Sequence, residues 1–208
     1  VATEPREAFF LLGQFAVTES KRVLDLPPGV GGMPRAKGIA GRLDPGGREI
    51  EPLDRAELVE AAADMRARGV EAVAVAFLHS YADPAHERAA KAVLEQHLPG
   101  VAICISSDVL REFREYERAS TTVLNAFLTP VMATYLGSLS RRLNDAEAGL
   151  GVGGGTPIMV MEAAGGLMTV ETALAKPVHT ILSGPAGGVV AGAHFAGLAG
   201  AGHVITMD

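Results

Sequence analysis

Tryptophan is absent and cysteine occurs once, as Cys104, in a chain of 208 residues. A single cysteine excludes an internal disulfide, which fits a reducing compartment and predicts a cytoplasmic protein. Cys104 lies in the apolar run 101–105 and reads as a small buried hydrophobe rather than a catalytic thiol. Aromatic residues make up only 5% of the chain, too few for an aromatic recognition surface. Dense clusters of Lys and Arg are also missing, and the net charge is −6, so nucleic acid is not an expected partner. No continuous apolar run reaches the roughly 18–20 residues that cross a bilayer, so no membrane partner is expected. Residues 1–7 contain no basic stretch followed by an apolar core, and no secretion signal is read there.

What is present is apolar and glycine-rich. Hydrophobic residues reach 48% with a mean hydropathy of +0.24, enough to bury a core, and 25 glycines suit tight strand–helix turns.

Residues 1–50 carry the apolar run 8–12, then the breakers Pro27-Pro28-Gly29, Gly31-Gly32 and Asp44-Pro-Gly-Gly47. This segment is expected to be irregular, with short antiparallel strands near residues 35–42. From residue 51 an α/β pattern follows. Asp54 with Glu57 is a capping-box-like start; Leu58, Ala61, Ala62 and Met65 recur at helical spacing; Gly69 marks the stop. The continuous apolar run 72–78 predicts a strand buried on both faces, hence a parallel sheet. Asp83-Pro84 opens a helix to about His97, and 101–105 is a second short buried strand. A helical stretch over 112–148 is expected to be divided at Pro130, with Thr129 capping the second half. Strands are predicted at 157–161, 178–182 and 204–207, with a small-residue helix over 184–199 between the last two. Alternating strands and helices predict an α/β layer fold.

Several motifs carry chemistry in principle. In Ser183-Gly-Pro-Ala-Gly-Gly-Val-Val190 the proline suits the first helical turn, and the glycines imply a close approach to the backbone. Tight packing is the favoured reading; a phosphate at the helix N-terminus, touching Gly184 and Gly187, is the other. No Gly-Lys-Ser/Thr follows, which excludes a common P-loop. Gly153-Gly-Gly-Thr156 reads as a flexible turn. Asp208 ends the strand predicted at 204–207, a place where a carboxylate can hold Mg2+ near phosphates. His79 follows the buried strand 72–78 and is either part of the turn or ligand-facing; His86 reads as a residue of the next helix. The charge run 111–118 reads as a solvated helix face with Arg111–Glu115 and Arg114–Glu117 pairs. Ser120, Thr121 and Asn125 are unusual for a helix interior, which leaves a site around Glu115 and Arg118 open.

In order and spacing, the chain resembles the hydantoinase A/5-oxoprolinase family, which includes acetone and acetophenone carboxylase subunits. The matching pieces are Ala74-Val-Ala-Phe-Leu-His-Ser-Tyr81 with Pro84, His86 and Glu87; Arg114-Glu-Tyr-Glu-Arg-Ala-Ser-Thr-Thr122 with Asn125, Ala126 and Pro130; Gly165-Gly166; and the helix from Ser183. The resemblance covers most of the chain from residue 70 onward.

The resemblance implies an actin-like ATPase fold with ribonuclease-H-like halves. It implies ATP and Mg2+ as cofactors, a cyclic amide such as a hydantoin or 5-oxoproline as substrate, and a second subunit or domain as partner. Asp208 matches the aspartate that begins the family's second phosphate loop and would position the metal; Ser183–Ala193 matches the helix that precedes it. His79, Glu115 and Arg118 are the candidates near the cleft. Because neither phosphate loop is complete here, the chain alone is expected to be inactive. A ketone carboxylase subunit and a non-catalytic nucleotide-binding scaffold are the alternatives. Ala163-Ala164 stands where the family has Ser-Asn, Arg111 where it has proline, and Glu4-Pro5 where it often has Gly-Phe.

Overall fold

The computed structural model describes residues 8–13, 35–150 and 157–207. The chain divides into two compact units, residues 1–130 and 131–208. The first contains a parallel sheet. β1 (Ala8–Gly13) pairs with β2 (Arg35–Ile39) on one side and with β5 (Ala72–Ala76) on the other, and β5 pairs with β6 (Ala102–Ile105). The order is β2-β1-β5-β6. The sheet therefore draws strands from both sides of the boundary expected at residue 50. Residues 35–39 pair in parallel; the antiparallel hairpin lies further on, β3 (Arg42–Leu43) with β4 (Glu49–Glu51).

Asp44 builds that hairpin's turn. Its Oδ1 accepts the N–H groups of Gly46 and Arg48, both at 2.9 Å, and its Oδ2 accepts Arg48 Nε–H at 3.1 Å. Gly47 takes φ +84°, where a side chain would be strained. Helix α1 (Arg55–Ala67) starts as its sequence requires. Asp54 Oδ1 accepts the N–H groups of Ala56 and Glu57, while Glu57 turns away from its own cap and accepts Ala40 N–H at 2.8 Å. Gly69, at φ +68°, ends it.

All five residues of β5 are buried. Val73, Val75 and Phe77 point to one face, where Leu58, Ala61 and Met65 of α1 meet Ala90 and Leu94 of α2 (Ala85–His97). On the other face Cys104 meets the helix that follows. This α4 (Glu115–Leu150) comes after a single-turn α3 (Ser106–Val109). Cys104 Sγ accepts Asn125 Nδ2–H at 3.5 Å and lies 3.7 Å from Thr129 Oγ1. The first unit is thus helix, sheet and helix in layers around one apolar core, the architecture that alternating elements dictate.

α4 is continuous, contrary to the break expected at Pro130. Thr129 does not cap a second helix; its hydroxyl donates back to Asn125 C=O at 2.8 Å, a bond made within a running helix. By length and composition α4 could cross a membrane, but Ala119, Val123 and Ala126 are buried in the protein beside polar Arg118, Thr122 and Asn125.

The second unit holds an antiparallel hairpin, β7 (Met159–Met161) with β8 (Leu167–Thr169). Leu136, Met168 and Ala173 form its core, the last from α5 (Val170–Ala175). The strand expected at 178–182 is instead a 3-10 turn, Pro177–Thr180. Its apolar β-branched residues suggested a strand, but Pro177 sets the first φ, Ile181 N–H bonds Val178 C=O, and the Thr180 hydroxyl bonds Pro177 C=O. The expected 184–199 helix is present as α6 (Ser183–Ala199). Residues 204–207 are not a strand: they have no ladder partner among the described residues and are exposed. Strand propensity alone does not supply the pairing groups. Residues 153–156 and Asp208 lie outside the described residues.

Candidate functional site

The carboxyl end of β5 gathers a buried polar cluster. Glu87, in the first turn of α2, has no exposed surface. Its Oε1 accepts Phe77 N–H at 2.9 Å and the Ser106 hydroxyl at 2.5 Å; its Oε2 accepts Ser107 N–H at 2.8 Å. The Ser80 and Ser106 hydroxyls lie 3.1 Å apart. Three donors hold one anion, which is how a charge survives burial.

Arg118 is the opposing cation and is also completely buried. Its Nη2 donates to Phe77 C=O and its Nη1 to Glu112 C=O, both at 2.8 Å. Its guanidinium lies over the Tyr81 ring, 5.6 Å from the centroid. Nε is buried without a partner among the described residues. Burial pushes its pKa down from the usual guanidinium value, and electrostatic attraction to Glu87, then Glu115 and Tyr81, opposes that shift.

Between these charges runs the turn 77–83. His79 sits in it with φ +62°, a left-handed conformation that costs a non-glycine residue about 1–2 kcal/mol. Ala82 and Asp83 donate their N–H groups to His79 C=O, and Ser80 donates to Phe77 C=O. The His79 ring stands edge-on to Tyr81 with centroids 6.0 Å apart, and its Nδ1 is buried without a partner among the described residues. Arg111 fastens the outer side through Tyr81 C=O at 2.8 Å and Ala82 C=O at 3.3 Å.

The structure therefore brings His79 and Arg118 together around Tyr81, with Glu115 half-buried at the start of α4 and close enough to act on Arg118 by charge. The solvated-face expectation fails for Arg118. Arg111 bonds the turn rather than Glu115, whereas Arg114 and Glu117 do pair, exposed, at 3.8 Å. His86 is buried and bonds Glu49 through Nε2 at 2.8 Å, as a structural residue would.

Glu87 was missed as a site residue. Its signal was its position: Glu87, Ala90 and Leu94 share one helical face, so the carboxylate had to enter the core. Arg118, Thr122 and Asn125 form a similar buried stripe on α4.

In the second unit, Gly187 packs on Met161, whose Cε would lie 3.6 Å from an added Cβ. A Cβ on Gly192 would collide with the Thr206 side chain. Gly184 meets nothing within 4 Å. Gly192 is thus a close-packing position and Gly187 makes an ordinary contact, while Gly184 is exposed in a helix with no buried residue, and Leu182 before them offers no side-chain cap bond. Nearby, His179 Nδ1 and Glu162 Oε1 are 2.8 Å apart, and Ala163 N–H bonds His179 C=O. An open cavity of about 370 Å3 is lined by Ser140, Asn144, Met159, Thr169 and Glu171 among others. No group of three potential metal ligands exists among the described residues.

These features define an α/β protein whose parallel sheet is closed at its carboxyl end by a buried carboxylate and guanidinium. A family model described as hydantoinase/oxoprolinase matches residues 118–208, and the model of that family's N-terminal region matches 32–98. The chain belongs to the hydantoinase/oxoprolinase family. It is 36% identical over 170 residues to caprolactamase subunit alpha of Pseudomonas jessenii, covering 82% of this chain and 24% of that one. The crystal structure of the ATP-dependent caprolactamase from the same organism superposes with a TM-score of 0.76 at 30% identity, over 93% of this chain and 29% of that one. A 5-oxoprolinase of Saccharomyces cerevisiae is 35% identical over 143 residues, 69% of this chain and 10% of its own length. Nucleotide-free acetone carboxylase shares the fold, with a TM-score of 0.70 at 20% identity over 94% of this chain and 30% of that one. The chain thus spans about a quarter of the length of the caprolactamase subunit and a tenth of that of the 5-oxoprolinase.

Proposed function

We propose that this chain forms part of an ATP-dependent cyclic amide hydrolase subunit. The supporting observation is its likeness in sequence and structure to a protein named an ATP-dependent caprolactamase. In the proposed reaction the amide oxygen takes the terminal phosphoryl group of ATP and ADP leaves. Water then adds at the activated carbon, the C–N bond breaks with the protonated nitrogen as leaving group, and a second water releases phosphate from the resulting acyl phosphate, leaving an open chain with a carboxylate and an amine. Hydantoin, 5-oxoproline and larger lactams are the candidate substrates. An actin-like ATPase fold, a cytoplasmic location and a second subunit belong to the same reading; relatives named as alpha, beta and gamma subunits support the last.

ATP and Mg2+ belong to the same reading; no group of three potential metal ligands exists among the described residues, and Asp208, the metal-positioning candidate, lies outside them. No step is therefore assigned to the metal. The chain's own contribution is the turn 77–83, whose His79 is the substrate- or nucleotide-facing candidate.

The test is ATP hydrolysis by the full-length parent polypeptide with its partner subunit, across hydantoin, 5-oxoproline, caprolactam and simple ketones with bicarbonate. ATP hydrolysis raised only by a cyclic amide, with ring opening, is expected. A rise only with ketone and bicarbonate would establish the carboxylase reading, which the shared fold of acetone carboxylase favours as the second choice. Nucleotide binding without stimulation by any of them would favour a scaffold.

A further inference from the structure

We propose that Glu87 and Arg118 are positioning residues that hold His79 in its left-handed pose at the carboxyl end of β5. This deepens the functional reading above and rests on it for the meaning of His79.

The argument starts from Phe77, the residue on which both charges converge. Glu87 binds its N–H and Arg118 its C=O, so the peptide groups on either side of Phe77 are fixed in direction. Two residues later the chain adopts φ +62° at His79, and the carbonyl of His79 is bonded by Ala82 and Asp83. A non-glycine residue keeps such a conformation only when its surroundings over-determine it, and such residues concentrate at functional sites. Here the surroundings are a buried anion, a buried cation and a ring, Tyr81, that touches both the cation and His79.

Buried polar atoms are normally partnered. His79 Nδ1 and Arg118 Nε, on the two side chains that flank Tyr81, are buried and unpartnered among the described residues, as are Ser107 Oγ beside Glu87 and His86 Nδ1. The carboxyl edge of a parallel sheet is also where α/β proteins bind ligands. The structure thus assigns Arg118 a place behind the site rather than at the reacting atoms: both of its Nη groups are committed to backbone carbonyls.

The test uses the full-length parent polypeptide with its partner subunit. Glu87→Gln keeps the side chain's shape and removes its charge. Arg118→Lys keeps the charge and loses the fork. Ser106→Ala removes one of the three donors to Glu87 and is the mildest form should the others fold poorly. Glu87→Gln and Arg118→Lys are expected to lower kcat of substrate-stimulated ATP hydrolysis about tenfold, with KM for ATP within about twofold, and Ser106→Ala to lower it less. Introduced into His79→Ala, each should add less than about a twofold further loss, because residues acting through one another are not additive. In parallel, amide hydrogen exchange at residues 78–83 should rise about tenfold in the charge variants while β6 stays protected. Full multiplicative losses in the His79→Ala background, or wild-type exchange at 78–83, overturn the proposal. If no substrate stimulates wild-type hydrolysis, the functional reading fails, and the exchange measurement alone decides whether the two charges hold the turn.

Discussion

Glu87 and Arg118 grip the same residue from opposite sides, the carboxylate on Phe77 N–H at 2.9 Å and the guanidinium on Phe77 C=O at 2.8 Å. Neither charge has exposed surface. Removing one leaves the other uncompensated in the core. Glu87→Ala is therefore expected to cost about 3–5 kcal/mol, and Arg118→Ala a similar amount. Glu87→Gln, which can still accept Phe77 N–H, should cost less than Glu87→Ala. Urea denaturation of the three variants checks the order; equal losses for Gln and Ala would mean that the whole cost lies in the charge and that a neutral acceptor for Phe77 N–H contributes nothing.

Much of the first unit was legible in the sequence. The run 72–76 is apolar at every position, a pattern that a strand buried on both faces requires, and Asp54 and Gly69 bracket α1 as caps do. What was not legible depended on partners far along the chain. β1 and β2 have ordinary local signals, but their parallel pairing with β5 is a long-range fact. Arg118 belonged to a charge run that read as a solvated face, and nothing local marked Glu87 as buried until its helical face was known. In 178–182, local proline and hydroxyl bonds overrode β-branched propensity.

The glycines of α6 should separate by their surroundings. Gly184 meets nothing within 4 Å, so Gly184→Ala is expected to be neutral or to stabilise by up to about 1 kcal/mol, the helix advantage of alanine. Gly192→Ala drives a Cβ into Thr206 and should displace residues 204–206. Thermal melts and limited proteolysis of both variants check this. Faster cleavage near 204–207 is expected in Gly192→Ala only; equal cleavage in both would refute the close-packing account.

Acid should act on the hairpin through Asp44. The Arg48 N–H bonded to its carboxylate holds its pKa below the ordinary 3.8; burial opposes this, and Gly46 N–H and the Arg48 guanidinium add to it. A carboxylate depressed in the folded state stabilises above its unfolded pKa and loses that contribution as pH falls through the lower folded value. The stability gap between wild type and Asp44→Asn should thus be flat from neutral pH down to the ordinary aspartate range and shrink only below it. Denaturation midpoints over that range measure it. A gap that closes above that range would show that Asp44 is not held in its charged form.

Cys104 offers a single-site probe, since no other thiol competes. It is 9% exposed, and its Sγ faces Asn125 and Thr129 of α4 across β6. A thiolate nucleophile needs a cationic neighbour and access to solvent; this sulfur has amide and hydroxyl neighbours and a buried position. Labelling by a thiol reagent under native conditions should therefore be slow, rising sharply in denaturant as the sheet and α4 separate. Cys104→Ser should leave any substrate-stimulated ATP hydrolysis within about twofold of wild type, because the hydroxyl can still accept from Asn125 at that depth. Rapid native labelling, or loss of activity in the serine variant with the fold intact, would make the sulfur a reactive group and not a packing residue.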